Sequence, residues 1–412
     1  MDRSSQNEGN EPGNFDAASH LTDSIASLNP EGAYRVLSRA NSLEETGREI
    51  IHLEIGQPEY PTFPNVTLAG IRAISQGETD YNPSRGIREL REAAAERLTE
   101  TRQLEVNPPE IVVGPGAKPL LFLVTLALLE EGDEALYPDP GFPTYRSMIE
   151  VAGGEPVPVP LYEVEDGFRL DLDALSTSLG PDSKLLVVNT PGNPAGNLLS
   201  KEELRKLSKL AGQHNLLILS DEIYSDLVYE DQVHRTIASL PGMKERTILV
   251  DGFSKTYSMT GWRLGYAALP ASLAQKIGHL LTHSVGCTAT FTQHAGVEAL
   301  QGPQEMVKAN LTELRKKRDL LVQGLNEIGG VSCSLPGGAF YAFPNVSSFE
   351  LAESKLADYL LEEVGVAVLP GTAFGPGGKG YLRLCYSLPK AKLTAALKKM
   401  EEGLSNLKRS KS

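Results

Sequence analysis

The chain has 412 residues, with 39 Lys+Arg against 53 Asp+Glu, a formal net charge of −14. That length supplies a large core without disulfide or metal staples. The acidic balance argues against a nucleic-acid or anionic-membrane binder, which needs a basic face. Three scattered cysteines, Cys287, Cys333 and Cys385, cannot build a disulfide framework, so a reducing, cytoplasmic setting is expected.

In chain order, residues 1–18 are polar and rich in Gly, Asn and Glu, and are expected to be a disordered tail without the apolar run of a secretory signal. Residues 19–60 hold a helix candidate at 33–39 and the strand pattern IIHLEIG, and are assigned to pack on the smaller of two domains. From 61 to 302, short apolar runs at 110–113, 134–137, 185–188, 216–219, 248–250 and 264–269 alternate with amphipathic stretches. Apolar on both faces, most of these runs read as buried parallel strands. The clearest helix is 201–214, with Ser200 as N-cap and Glu203 three residues on, a capping box. The longest apolar stretch, 120–129, has about half the length of a membrane span, so no membrane role is expected. Alternating strands and helices predict an α/β fold: a three-layer α/β/α large domain on a mostly parallel sheet. From 303 to 412 a long charged helix, short strands (VSCSL, AFYAFP, VAVLP, YLRLCY) and a last helix at 390–407 predict a smaller α+β domain.

In open α/β sheets, ligands bind beyond the carboxyl ends of the strands. After successive strands come Gly114-Pro-Gly-Ala-Lys118, the loop holding Asn193, then Asp221 with Tyr224, then Ser254 and Lys255 with Arg263 eight residues beyond. Each has a plain structural reading alone: a strand-to-helix turn, a turn residue, a cap, a solvated charge, an ion pair. Together they meet one demand. A phosphate wants the free N–H groups of a helix start at Gly116, Ala117 and Lys118, with a hydroxyl from Ser254 and a guanidinium from Arg263. A protonated pyridine nitrogen wants a buried carboxylate, Asp221. A phenolic oxygen wants donors, Asn193 and Tyr224, and an aldehyde wants an amine, Lys255. Those parts describe pyridoxal 5′-phosphate.

The strings NTPGNPAG (189–196), DEIYSDLVY (221–229) and SKTYSMTGWRLGY (254–266) resemble the class I/II aminotransferases of the fold-type I pyridoxal-phosphate family, over most of the chain. The resemblance implies roles one residue at a time. Lys255 is the Schiff-base lysine and proton shuttle, Asp221 the partner of the ring nitrogen, and Asn193 and Tyr224 the pair on the ring oxygen. Ser254 and Arg263 hold the phosphate beside the Ala117 and Lys118 amides. Phe142, in YPDPGFPTY, stacks on the cofactor. Tyr81 reaches the phosphate of a neighbouring subunit, which implies a homodimer. Arg383 forks onto the substrate α-carboxylate, which Gly56 also meets through its backbone. The substrates implied are an α-amino acid and a 2-oxo acid.

Other chemistries share that pocket: β- or γ-elimination, cyclisation or oxidation of an amino acid. A ligand-sensing regulator would need a DNA-binding module, for which about 18 polar residues leave no room. Dicarboxylate specificity would need a further cation; Arg85 and Lys118 are near in sequence order, and the sequence does not choose. The string Gly375-Pro-Gly-Gly-Lys-Gly380 satisfies G-x-G-x-x-G, but a strand pattern rather than a helix follows, so it reads as a loop. His279 and His283 are four apart with leucines between, and no metal site is expected.

Overall fold

A computed structural model of the chain describes residues 17–409 except 29 and 231, with side chains to 407. The expected tail thus lies outside the described residues up to 16, and Ala17–His20 forms a 3-10 turn. After a short helix, Asp23–Ala26, the helix candidate at 33–39 forms part of a longer helix, Gly32–Glu45.

Strand β1 (Ile51–His52) pairs in parallel with a strand more than 300 residues away, described below. The large sheet holds eight strands: β2 (Ile111–Gly114), β3 (Glu134–Asp139), β4 (Glu155–Val164), β5 (Gly167–Leu170), β6 (Ser183–Asn189), β7 (Leu217–Asp221), β8 (Thr247–Gly252) and β9 (Gly265–Ala268), in spatial order β2-β9-β8-β7-β6-β3-β4-β5. The run β8-β7-β6-β3-β4 is parallel. β9, read from sequence with the parallel set, is instead antiparallel to both neighbours, and β5 is antiparallel to β4. The chain leaves β3 in one direction to β4 and returns on its other side as β6, so a crevice opens between β3 and β6 at their carboxyl ends.

Side chains alternate across this sheet as period two demands. Ile111 and Val113 pack toward helices Arg88–Arg102 and Thr290–Gln301, while Val112 packs with helices Ala117–Leu128, Thr144–Val151 and Ala271–Ser284 on the opposite face. Ser200 and Glu203 form the predicted capping box on helix Lys201–Gln213. β4 escapes the sequence pattern because of Pro156, Pro158 and Pro160. Their missing N–H groups are tolerated where β5, which pairs only with 161–164, does not cover the strand.

The C-terminal part begins with helix Glu305–Glu327 and ends with helix Lys390–Arg409. Between them lie β10 (Tyr341–Ala342), β11 (Val366–Ala367), β12 (Leu369–Pro370) and β13 (Leu382–Cys385). β10, β13 and β12 make an antiparallel sheet, and β1 pairs with β11. VSCSL is not a strand as expected; only Ser332 bridges, to Asn345. The Asn326 side chain binds both backbone groups of Cys333, which a neighbouring strand would otherwise use. The VAVLP run splits into β11 and β12, which serve different sheets.

The Gly-rich string at 375–380 is a loop of 3-10 turns. Its glycines serve packing: a Cβ on Gly375 would fall 2.1 Å from Asp139 Oδ1, and Gly375 adopts φ +117°. Among the described residues, no helix is long and apolar enough to cross a membrane.

Candidate active site

One cavity of about 510 Å³ opens at the carboxyl ends of the central strands. Of the residues singled out from sequence, Lys255, Asp221, Asn193, Tyr224, Ser254, Arg263, Ala117, Lys118, Phe142, Gly56 and Arg383 all line it. Tyr81 does not; it is 96% exposed on the surface. Arg85 is also elsewhere, donating to Pro109 O at 3.2 Å.

The inner wall is made by strand ends. β7 delivers Asp221, which is buried, with Oδ2 accepting the Tyr145 hydroxyl at 2.7 Å and Oδ1 accepting the Ile223 amide at 3.3 Å. Burial pushes its pKa up to about 6, against the pull of these donors and of Lys255. The turn after it is anchored from behind. Glu222 meets His234 at 2.7 Å, and Arg102 sits among Ser225, Glu222, Asp226 and Asp251. At the end of β6, Asn189 ties the layers together, donating to Asp221 O at 3.0 Å and accepting the Asn193 amide at 2.9 Å.

Lys255 follows β8. Its Nζ donates to Gly56 O at 2.7 Å and lies 5.7 Å from the Phe340 ring centre. Although the side chain keeps some contact with the cavity, its ammonium is enclosed. Desolvation lowers its pKa to about 8, aided by the positive charges of Arg383, Lys118 and Arg263. A free amine is therefore accessible near neutral pH.

A cradle for an anion lies beside it. Gly114, Gly265 and Gly252 sit side by side across β2, β9 and β8. A Cβ on Gly265 would come 2.5 Å from the Ala117 amide nitrogen, and one on Gly116 2.5 Å from Arg263 Nη2. Glycine there lets the first amides of helix Ala117–Leu128 and the Arg263 guanidinium face the same space. Arg263 itself adopts φ +53°, a left-handed conformation that costs a non-glycine residue and is kept where the surroundings over-determine it. Ser254 lies on the same wall. This set fits a phosphate, an amine-reactive carbonyl and a basic ring nitrogen, as pyridoxal phosphate carries them.

The outer wall comes from the C-terminal sheet and the N-terminal segment. Tyr341 stands opposite Cys385 in the β10–β13 ladder, and Arg383 is two residues from Cys385 on the same face. Arg383 is therefore diagonal to Tyr341; its guanidinium lies 4.4 Å from that ring and 4.9 Å from Phe374. It bonds Glu54 O, donates to Asn193 Oδ1 at 3.3 Å, and keeps a buried Nε with no partner. Tyr341 also meets the Tyr224 hydroxyl at 2.8 Å, and a Cβ on Gly56 would fall 2.0 Å from the Tyr341 hydroxyl.

Sequence reasoning missed Tyr145, Asn189, Tyr341 and Glu31. Tyr145 was within reach, three residues after Phe142 at a helix start, a spacing that puts side chains together. Glu31 was not, because its partners Lys118 and Thr144 are 87 and 113 residues away.

The family model for aminotransferase class I and II matches residues 48–400. The chain is 38% identical to a probable aspartate/prephenate aminotransferase of Aquifex aeolicus, over 94% of this chain and 99% of that protein. It is 36% identical to aromatic-amino-acid aminotransferase 2 of Thermococcus litoralis, over 94% and 99%. The crystal structure of an aromatic aminotransferase from Pyrococcus horikoshii superposes with a TM-score of 0.85 at 38% identity, covering 90% of this chain and 99% of that one.

Proposed function

The chain belongs to the class I and II aminotransferases, and from that premise we propose how its residues divide the work. It is a pyridoxal-phosphate enzyme that moves an amino group between an α-amino acid and a 2-oxo acid in two half-reactions. The observation that carries the assignment of roles is the convergence of Lys255, Asp221, Arg263 and Arg383, from separate segments, on one cavity.

When bound, pyridoxal phosphate supplies the electron sink that acidifies a Cα–H bond and a carbon that holds the amino group between the two acids. The helix start at Ala117–Lys118, with Ser254 and Arg263, is proposed to grip the phosphate. Asp221 would hold the ring nitrogen in its protonated form, since a buried carboxylate favours a cation beside it. Asn193 and Tyr224 would serve the ring oxygen, and Phe142 would stack on the ring. Arg383 binds the substrate α-carboxylate through a fork already aimed by two aromatic rings, while the Gly56 backbone approaches closely from the side. With the carboxylate fixed, the Cα proton would be presented to Lys255, which takes it as a neutral amine and returns it from the ammonium so formed.

We further propose a homodimer, supported by exposed Tyr81 and by Leu68, Ile71 and Ile74, an exposed apolar stripe on helix Pro64–Ser75. The unpaired state of all three cysteines supports a cytoplasmic setting. The family's substrates are amino and oxo acids, and the relatives' names divide between aspartate and aromatic donors, so likeness alone does not select the donor.

A half-reaction tests this reading. An amino acid added alone under nitrogen should discharge the yellow colour and release one equivalent of 2-oxo acid per protomer; a second 2-oxo acid should restore it. Colour that persists while ammonia accumulates would contradict transamination.

A further inference from the structure

The charged side chains lining the cavity are Glu31, Lys118, Asp221, Lys255, Arg263 and Arg383. Four of them have work under the reading above: ring nitrogen, proton transfer, phosphate and α-carboxylate. Glu31 and Lys118 are left, and they hold each other. Glu31 Oε1 bonds Lys118 Nζ and accepts the Thr144 hydroxyl at 3.0 Å.

The position of each partner is unusual for its charge. Glu31 is the N-cap of helix Gly32–Glu45, where a carboxylate ordinarily binds the helix's own first amides; it makes no such bond and reaches Lys118 and Thr144 instead. Lys118 is the second residue of helix Ala117–Leu128, at the positive end of the helix dipole, where a cation is disfavoured without an anion beside it. Its Nζ also stands 5.0 Å from the centre of the Phe142 ring. An anion is therefore called for at that point, and the chain supplies its own. Beyond Glu31 the same segment lines the cavity with Ala33, Tyr34 and Leu37, joined by Ile55. Among the described residues, the other cations lining the cavity are Lys255, Arg263 and Arg383, each with a role above.

We infer that Glu31 is a specificity-determining residue: it occupies Lys118, so the amino acid accepted carries an uncharged, apolar side chain rather than a second carboxylate. This rests on the roles given above to Lys255, Asp221, Arg263 and Arg383. A substrate with a distal carboxylate must displace Glu31 or leave two carboxylates facing one ammonium, whereas an apolar side chain meets Ala33, Leu37 and Ile55 and leaves the pair intact.

The test uses the cofactor-loaded enzyme with leucine and aspartate as donors, and maleate, a four-carbon dicarboxylate without an amino group, as a binding probe. Wild-type enzyme should favour leucine. Glu31→Gln should raise kcat/KM for aspartate and tighten maleate binding by titration calorimetry, each about tenfold, with little change for leucine. Adding Lys118→Gln to Glu31→Gln should cancel both gains, which assigns them to the unmasked ammonium rather than to a looser entrance. A wild-type preference for aspartate, or an aspartate-to-leucine ratio and a maleate affinity unmoved by Glu31→Gln, would overturn the inference while leaving transamination in place. A wild-type enzyme that converts neither of these donors nor phenylalanine would overturn the underlying roles, and the inference with them.

Discussion

The cavity's two walls are built differently. The inner wall hangs from the strand ends of one sheet: Asp221, Asn193, Lys255 and the Gly116–Ala117 turn leave β7, β6, β8 and β2 and are backed by buried side chains. The outer wall is assembled from remote pieces, with Glu31 and Ile55–Gln57 from the N-terminal segment and Tyr341 and Arg383 from the C-terminal sheet. Chemistry shared by every substrate belongs on a wall whose geometry the sheet fixes; selection belongs on the wall whose parts can vary without disturbing it. Inner-wall variants should therefore depress turnover of all donors alike, and outer-wall variants should change one donor against another or change binding.

The largest expected loss is at Lys255. Lys255→Ala should cut turnover by about 10⁴-fold, the upper range for losing an acid–base group, equally for leucine and aspartate. Asp221→Ala should cost about 10³-fold, typical of removing a preorganised charge, with the fold retained by circular dichroism. A donor-dependent loss in either case would break the division between walls. Arg383→Lys should raise KM and lower kcat together, by about 10²-fold in kcat/KM, because a point charge cannot reproduce the stacked fork that aligns the substrate. Tyr145→Phe is milder. It removes one donor from a buried carboxylate, moves the Asp221 pKa further above about 6, and should slow turnover about tenfold. The smallest effect is in pH. The Lys255 pKa is lowered to about 8, so its amine is protonated below that value and free above it. Cofactor uptake by the cofactor-free enzyme should slow as pH falls through about 8 and level off above it; a flat rate between about pH 7 and 9 would contradict the lowered value.

The same contrast explains what the sequence made legible. Inner-wall groups follow strands within a few residues, so reading what succeeds each apolar run collects Asn193, Asp221 and Lys255, and the glycines before Ala117 announce the anion cradle. The strands themselves stood out where they were buried on both faces, and β4 was hidden by its prolines. The outer wall depends on pairings across hundreds of residues. The β10–β13 register that sets Tyr341 diagonal to Arg383, and the reach of Glu31 to Lys118, have no local signature. Tyr81 is a different case, since the chain by itself leaves it in solvent.

Two lysines line the cavity, Lys255 and Lys118, and the assigned roles require that Lys255 be the amine that meets the cofactor. Reduction of the yellow enzyme with borohydride, followed by peptide mapping, distinguishes them. Recovery of the cofactor on the peptide holding Lys255, with Lys118 unmodified, is the predicted result. Recovery on Lys118 would contradict the account, because the phosphate cradle, Asp221 and Arg383 would then have been assigned around the wrong nitrogen.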